Sequence, residues 1–316
     1  MYVNVAAIID GASAPDPDVF PITEDTYLFY SGEFNLIFGD TESGKTWLCL
    51  AAVASVLTEG GKAAIIDLDH NGAPSIISRL QQFGIPDDVL VDQNRFRLAE
   101  PVHDLELKEL VTDLLVFRAD VVTIDSLGEV LPLFRANSNN ADDFTVVHTT
   151  VIKPLALNGA AVLVIDHLAK NQDSRSQGPT GTMAKSRAVG GLSVRVTAER
   201  PFKPGEGGTA KLELFKDRHG GVRKQFPSSE PKPVIGTFTL TADGEALSYS
   251  IKHGLTVPLR AQEAGDAKQL AHDVAKLEEL AANGTNVTVK AARLALGCGT
   301  SRAQAACKAL LAQKTA

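Results

Sequence analysis

The stretch from Gly39 to Thr46 constrains this chain more than any other feature. It matches the phosphate-binding motif G-x-x-x-x-G-K-[ST] and reads, in order, Gly39, Asp40, Thr41, Glu42, Ser43, Gly44, Lys45 and Thr46. Glycines let successive backbone N–H groups converge on phosphate oxygens, and the start of a following helix adds positive charge. A strand-like run, 34–38, precedes the motif and a helix-like run, 46–57, follows it. The motif therefore predicts an α/β nucleotide-binding fold.

The types of residue in and near this loop predict a bound nucleoside triphosphate, ATP, with Mg²⁺. Lys45 is expected to reach the β- and γ-phosphates, and the Thr46 hydroxyl to ligate Mg²⁺. The apolar run 121–124 ends in Asp125, whose carboxylate completes the Mg²⁺ site in this interpretation. The alternative is that Asp125 only caps the end of a strand.

A second acidic strand end, at 67–70, supplies a candidate for positioning the attacking water. Hydrolysis needs a carboxylate near the γ-phosphate. Asp69 lies further than Asp67 towards the C-terminal edge of the sheet, where ligands of open α/β sheets bind. We therefore prefer Asp69 and expect His70 to be a solvated neighbour. Asp67, or a purely structural acidic cluster, remains an alternative.

Alternating strand-like and helix-like runs fill the middle of the chain. Four runs are almost entirely apolar, as in parallel strands buried on both faces: 34–38, 63–68, 121–124 and 160–165. Helical spacing occurs between them, over 75–83, 104–117 and 141–157. This repetition predicts a mostly parallel central sheet with right-handed connections.

The pattern changes after about residue 192. Strand-like runs separated by Gly- and Pro-rich turns follow, at 193–196, 211–216, 222–226, 234–240 and 246–251. They predict an antiparallel extension of the sheet. Residues 1–254 are thus expected to form one ATPase domain, which begins with an extended lead-in.

The C-terminal part of the chain is predicted to be a small helical domain. Residues 255–267 resemble a linker, and 268–316 contain helix candidates around a Gly-Cys-Gly turn. This order is typical of a helix-turn-helix or winged-helix module. The end of the chain, 281–316, has Lys and Arg but no acidic residue, so the module either reads DNA with a groove-lying helix or packs as an assembly element.

The strand 162–165 ends in Asp166 and His167, and a basic loop follows it. A polar group such as His167 is placed to sense the γ-phosphate and to pass its state into the loop. The loop and its flank, 168–187, contain four basic candidates for contact with a phosphodiester backbone: Lys170, Arg175, Lys185 and Arg187. The alternative is a solvated flexible loop.

The amino-acid composition argues against several classes of protein. The net charge of −7 argues against a general nucleic-acid-coating protein, though not against a local basic channel. The three cysteines are too few and too scattered for a disulfide or zinc framework. We find no transmembrane run and no signal peptide, so a cytoplasmic protein without membrane contact is expected.

Together these motifs resemble the RecA/DnaB-type P-loop ATPases, and most of all the RepA-like hexameric helicase ATPases of plasmids and phages. The resemblance covers about 33–226 and rests on 39–46, 67–69, 124–126, 164–167 and 216–220. The last segment resembles the family's K-x-R-x-G motif. Carried over, the resemblance implies that Lys216 and Arg218 reach across a subunit interface to a neighbour's γ-phosphate. It also implies a homo-oligomer, a hexamer, that acts on single-stranded DNA.

The chain also departs from this family. The family's catalytic base is usually Glu, and Asp69 is one methylene shorter. No helical domain like that of DnaB is predicted before the core, and the C-terminal module lies outside the resemblance.

The leading hypothesis is a DNA helicase-like motor that hydrolyses ATP at the subunit interfaces of a ring. The first alternative is a RecA-like filament protein for recombination or a DNA-loading ATPase. The second is a DNA-binding regulator whose ATP site only switches assembly. A small-molecule kinase is weaker, because we find no motif for an acceptor pocket or lid.

Overall fold

The structure is a computed structural model that describes residues 5, 15–23, 26–168, 178–226, 229–254, 259–282, 287–296, 303 and 306–310. The chain divides into two compact units, Met1–Gly254 and Leu255–Ala316.

A sheet of nine strands organises the first unit. Its order is β11-β10-β9-β8-β3-β7-β6-β4-β5. The strands are β3 (Phe34–Gly39), β4 (Ala63–Asp67), β5 (Phe96–Ala99), β6 (Val121–Asp125), β7 (Ala161–His167), β8 (Leu192–Lys203), β9 (Gly207–Asp217), β10 (Val234–Asp243) and β11 (Ala246–His253). The pairs from β8 through β5 are parallel, and those from β8 through β11 are antiparallel. A mostly parallel sheet with an antiparallel extension was the expected arrangement.

Helices cover the parallel strands on both faces, which explains why those strands are apolar throughout. In chain order the helices of this unit are α1 (Lys45–Thr58), α2 (Ala73–Gln82), α3 (Asp87–Val91), α4 (Asp104–Phe117), α5 (Leu127–Leu133), α6 (Ala141–Val147), α7 (Lys153–Leu157) and α8 (Ala184–Ala188). Helix α1 packs into one buried core with Ile37 and Leu163, and α4 packs into the other with Leu36 and Val164. Alternate side chains of a strand thus reach opposite cores.

Some local predictions were wrong. The lead-in contains an antiparallel hairpin, β1 (Val19–Thr23) and β2 (Thr26–Phe29), and the short strand β5 was missed. The predicted strand at 222–226 is a turn with a 3₁₀ segment, Arg223–Gln225. Its backbone cannot join a sheet there, because the N–H groups of Val222 and Arg223 donate to the side chain of Asp217 at 2.9 and 2.7 Å. The helix expected at 141–157 is interrupted by a π-helical turn, His148–Ile152.

Lys185 is placed differently from its expected position on a surface. Its side chain is fully buried in α8, and its Nζ lies 2.7 Å from Oδ2 of Asp166, which is equally buried at the end of β7. Burial raises the pKa of Asp166, whereas the Lys185 ammonium opposes that shift. The pair therefore ties α8 to the sheet, and the expected contact of Lys185 with nucleic acid does not fit this placement.

The described part of the second unit is mostly helical. Helix α9 (Leu259–Ala282) begins inside the segment expected to be a linker, because residues 260–264 are good helix formers. Helix α10 (Val289–Leu296) follows, and 306–310 are helical. A small core joins them and includes Val274, Leu277, Ala292 and Leu310. The Gly-Cys-Gly turn lies outside the described residues, so the helix-turn-helix module stays a prediction.

Among the described residues, no helix has both the length and the apolar character needed to cross a membrane.

The buried Asp166–Lys185 pair leads to a stability prediction. Lys185→Met leaves a buried carboxylate without its partner and should lower the free energy of unfolding by about 3–5 kcal/mol, measured by urea denaturation. Arg187→Ala, an exposed change on the same helix, should alter it by less than about 0.5 kcal/mol. The double variant Asp166→Asn/Lys185→Met should recover much of the loss. Equal effects of Lys185→Met and Arg187→Ala would contradict this role of the pair.

Candidate nucleotide-binding site

A cavity of about 320 Å³ opens beside the C-terminal ends of β3, β6 and β7. This is the edge at which ligands of parallel α/β sheets bind. Its walls bring together the loop and the strand ends singled out in the sequence. The lining residues are Thr41, Glu42, Ser43, Gly44, Lys45, Thr46, Trp47, Asp69, Asn71, Arg79, Asp125, Ile165, His167 and Phe202.

The phosphate-binding loop has the backbone that its glycines predict. Gly44 has φ +95°, a conformation that side chains disfavour, and α1 begins at the next residue. The buried Lys45 donates from Nζ to the carbonyls of Gly39 at 3.2 Å and Asp40 at 2.6 Å. Burial lowers the pKa of Lys45, while Asp125 and other nearby carboxylates favour its charged form. The two hydrogen bonds hold the lysine against the loop.

Asp125 has the properties of a ligand for a divalent cation. The Thr46 hydroxyl donates to its Oδ2 at 2.8 Å, and Nδ2 of Asn71 donates to the same oxygen at 3.1 Å. Its Oδ1 is buried and has no hydrogen-bond partner in the described part of the chain. Burial raises the pKa of Asp125 to about 6, although the bond from Thr46 opposes this shift. A hydroxyl beside a carboxylate with a spare oxygen fits Mg²⁺, a cation that prefers oxygen ligands.

The two acids at the end of β4 have different environments. Both carboxylate oxygens of the buried Asp67 accept hydrogen bonds, one from Asn71 Nδ2 at 3.0 Å and one from the N–H of Gly72 at 2.9 Å. The side chain of Asp69 is exposed and lines the cavity, and its N–H donates to the Asp125 carbonyl at 2.9 Å. This arrangement favours Asp69 over Asp67 as the group that orients water.

His167 lies where a sensor of the phosphates was expected. The β3–β7 register places it opposite Gly39, and its half-buried side chain lines the cavity. Its N–H donates to Asp166 Oδ1 at 2.9 Å, and its carbonyl accepts from the N–H of Thr180 at the same distance. The strand end is thus joined to the far side of the loop that follows it.

Of the four basic candidates for nucleic acid, Arg187 is exposed and Lys185 is buried, as described above. Lys170 and Arg175 lie outside the described residues.

Arg218 lies at the opposite edge of the sheet from the phosphate-binding loop of its own chain. Its N–H donates to the carbonyl of Gly191, whose N–H donates to Phe34 at the start of β3. Gly39 ends that strand five residues later, so the backbones of Arg218 and Gly39 differ by about 16 Å along the strand direction. Lys216 lies two residues before Arg218 on β9. The described geometry brings neither side chain into the cavity of the same chain.

The turn that carries Arg218 is firmly anchored. Asp217 accepts from the Tyr30 hydroxyl at 2.6 Å and from the N–H of Gly220 at 3.0 Å, in addition to the two bonds from the 3₁₀ turn. Burial and the adjacent Asp217 carboxylate raise the pKa of Tyr30 well above its usual range. His219 Nε2 lies 2.9 Å from Glu33 Oε1. Arg218 is therefore presented, exposed, from a turn with a fixed backbone.

A second chamber of about 260 Å³ adjoins the first and was not foreseen from the sequence. Trp47, Arg79 and Phe202 line both. The Arg79 guanidinium lies 4.8 Å from the Trp47 ring centre, and the Phe202 ring packs so closely on Gly44 that no Cβ fits there. Trp47 directly follows the motif, which is a signal that could have been used. Arg79 and Phe202 come from distant elements and carry no local signal.

Comparisons with known proteins agree with this geometry at the level of the core. No family model matches the chain. Protein RecA of Leptospira biflexa is 37% identical over 106 residues, which cover 33% of this chain and 25% of that RecA. Protein RecA of Chlorobium limicola is 25% identical over 235 residues, 69% of this chain and 63% of that RecA. Protein RecA of Acidothermus cellulolyticus is 22% identical over 233 residues, with shares of 69% and 64%.

The chain thus spans between about a quarter and just under two thirds of the length of these RecA relatives. The similarity does not extend to the narrower resemblance to RepA-like helicases. What the sequence, the strand order and these relatives support jointly is a RecA-like P-loop core.

Proposed function

We propose that this chain is a RecA-like ATPase that assembles head to tail and works on single-stranded DNA. The observation that carries the proposal is the meeting of Lys45, Thr46 and Asp125 in one cavity, with the Thr46 hydroxyl 2.8 Å from a carboxylate that has an oxygen to spare. Phosphoryl transfer requires a lysine that binds the phosphates and a pair of oxygen ligands that bind Mg²⁺.

In the proposed reaction, different residues of the chain bind the phosphates, bind Mg²⁺ and orient the attacking water. The loop N–H groups and Lys45 would hold the β- and γ-phosphates, and Thr46 and Asp125 would hold Mg²⁺, whose charge would offset that of the phosphate oxygens. Asp69 accepts a hydrogen bond from the attacking water and aims it at the γ-phosphate. His167 lies beside the loop and passes the presence of the γ-phosphate to the segment after β7.

The position of Arg218 supports the proposed assembly. The backbone of the exposed Arg218 lies about 16 Å along the strand direction from Gly39 of its own chain, so we expect its guanidinium to serve a nucleotide on another chain. Arg218 then offsets the charge that develops on the neighbour's transferring phosphoryl group. Contacts between opposite edges of identical chains are head to tail, and they generate rings or helical filaments.

The form of the assembly gives two candidate functions. A closed ring, such as a hexamer, would be a DNA helicase-like motor whose basic loops grip single-stranded DNA in the channel. An open filament would be a recombination or loading ATPase, and the similarity to RecA proteins favours this second candidate. Electron microscopy of the assembly with ATP distinguishes the ring from the filament.

The steady-state rate of ATP hydrolysis, measured with and without single-stranded DNA, tests whether the chain is a nucleic-acid motor. We expect single-stranded DNA to stimulate ATP hydrolysis several-fold, and Lys45→Ala to reduce the rate by roughly a hundredfold or more because a phosphate-binding charge is lost. Single-stranded RNA is the matched comparison for the choice of nucleic acid. Robust hydrolysis that neither DNA nor RNA changes would exclude a nucleic-acid motor.

Mixing two inactive variants tests the contact between chains. Lys45→Ala removes the phosphate ligand but keeps Arg218, and Arg218→Ala does the reverse. In a random equal mixture about a quarter of the head-to-tail interfaces combine an intact loop with an intact arginine. Hydrolysis should therefore return to about that fraction of the wild-type rate. No recovery in mixtures that light scattering shows to be co-assembled would contradict action in trans.

The second chamber is proposed to hold the base of the nucleotide against Trp47 and Arg79. Arg79→Ala should raise KM for ATP about tenfold and leave kcat nearly unchanged, because contacts to the base are alike in the ground and transition states. Inorganic triphosphate lacks a base, so its binding should not weaken in this variant. Equal losses for ATP and triphosphate would assign Arg79 to the phosphates instead.

A further inference from the structure

One carboxylate organises the turn that carries Arg218. The two side-chain oxygens of Asp217 accept four hydrogen bonds, from the Tyr30 hydroxyl at 2.6 Å and from the N–H groups of Gly220, Val222 and Arg223 at 3.0, 2.9 and 2.7 Å. Each oxygen serves two of these donors. A carboxylate can do this because both of its oxygens accept, whereas the amide of asparagine has one oxygen and two N–H donors. The shape of the turn therefore depends on the acid at position 217.

The Tyr30 hydroxyl binds both the side chain and the backbone of this turn. It donates to Asp217 and accepts from the N–H of Gly221 at 2.9 Å. Tyr30 is fully buried, and burial, together with the Asp217 carboxylate, raises its pKa well above the usual range. The hydroxyl therefore keeps the proton that it donates. A Cβ on Gly221 would lie 2.9 Å from this oxygen and 2.6 Å from Cδ of Pro17, so the turn packs tightly against the segment before β3.

Tyr30 is in turn fixed to β3. Its N–H donates to Asn35 Oδ1 at 3.2 Å, and its carbonyl accepts from Asn35 Nδ2 at 2.9 Å. Asn35 is completely buried, and its Oδ1 also accepts from the N–H of Leu192 at the start of β8 at 3.1 Å. Strand β3 ends at Gly39, where the phosphate-binding loop begins. One strand thus carries the loop at one end and the support of Arg218 at the other.

Arg218 lies between two residues that are both tied to the segment before β3. Asp217 is bound by Tyr30, and His219 Nε2 lies 2.9 Å from Glu33 Oε1. The Arg218 side chain itself is exposed. A group that offsets charge in a transition state must be placed to within a fraction of an ångström, and an exposed arginine gains that precision from a fixed backbone.

We propose that Asp217 and Tyr30 are positioning residues for the reaction of a neighbouring chain. They hold the turn so that the Arg218 guanidinium meets the nucleoside triphosphate bound there, and neither of them touches that nucleotide. Because Tyr30 is bound to β3, the strand sets the distance between the nucleotide that a chain binds and the arginine that it presents to its neighbour. This inference rests on the proposed head-to-tail ATPase.

Steady-state kinetics of the assembled full-length chain tests this role. Asp217→Asn removes one acceptor oxygen with almost no change in shape, and it should lower kcat for ATP about tenfold to a hundredfold because Arg218 is misplaced. KM for ATP should stay within about twofold of the wild-type value, because an arginine that acts in the transition state contributes little to binding of the substrate. Unchanged kcat in Asp217→Asn would overturn the proposal.

Removal of single hydroxyl groups separates positioning from a general effect on the fold. Tyr30→Phe keeps the buried ring and loses the bonds to Asp217 and Gly221, so kcat should fall as in Asp217→Asn, by a smaller factor. Tyr27→Phe makes the same chemical change on β2 and should leave kcat unchanged. A loss of kcat in Tyr27→Phe as large as that in Tyr30→Phe would contradict a role of the Tyr30 hydroxyl.

Mixtures of variants distinguish a misplaced arginine from a damaged chain. Asp217→Asn leaves the phosphate-binding loop intact, and Lys45→Ala leaves the Arg218 turn intact. In an equal mixture about a quarter of the head-to-tail interfaces join the intact parts, so hydrolysis should recover to about that fraction of the wild-type rate. A mixture of Asp217→Asn with Arg218→Ala should show no recovery, since neither chain has a well-placed arginine. Failure to recover with Lys45→Ala, in mixtures that light scattering shows to be co-assembled, would overturn the positioning role.

The mixture of Lys45→Ala with Arg218→Ala separates this inference from the proposed function. Recovery in that mixture, with normal kcat in Asp217→Asn and Tyr30→Phe, would leave the trans-acting ATPase standing and remove the positioning role. No recovery in that mixture would remove both.

Discussion

The buried carboxylate of Asp125 joins the segments that form the candidate site. Its side chain accepts from Thr46 at the start of α1 and from Asn71 after β4, and its backbone carbonyl accepts from the N–H of Asp69. These bonds fix the phosphate-binding loop, the acidic end of β4 and the candidate ligands for Mg²⁺ relative to one another. Burial raises the pKa of Asp125 to about 6, because it disfavours the charged carboxylate. A cation bound beside Asp125 would favour the charged form.

The sheet register explains why the candidate phosphate site and Arg218 lie at opposite ends of the strands. The parallel strands carry their polar ends to one edge, whereas β9 runs antiparallel to β8 and brings Arg218 to the other. No side chain spans that separation, so in the proposed assembly each chain would contribute one part to each of two sites. The four hydrogen bonds on Asp217 and the contact of His219 with Glu33 fix the backbone of the turn that carries the exposed Arg218. Under the proposed function, a site divided in this way would make the rate of ATP hydrolysis depend on assembly.

The sequence predicted the parts of this structure that local chemistry decides. The motif at 39–46 and the apolar strands before Asp125 and His167 carry their own signals, because glycine conformation and burial on both faces leave marks in adjacent residues. The chamber of Trp47, Arg79 and Phe202 was missed, since it joins three elements that are distant along the chain. The burial of Lys185 was also missed. A lysine next to a basic loop is expected to be solvated, and the sequence does not show that Asp166 lies beside it in the fold.

Two lysines hold α8 by contacts of different kinds. Lys185 is buried with a full counter-charge, and its removal leaves an unpaired carboxylate, so it is bound to one position. Lys216 is half-buried against neutral carbonyls, a weaker set of partners that water can replace. Helix α8 is therefore held by a buried ion pair at Lys185 and by hydrogen bonds from a half-buried lysine at its C-terminal end.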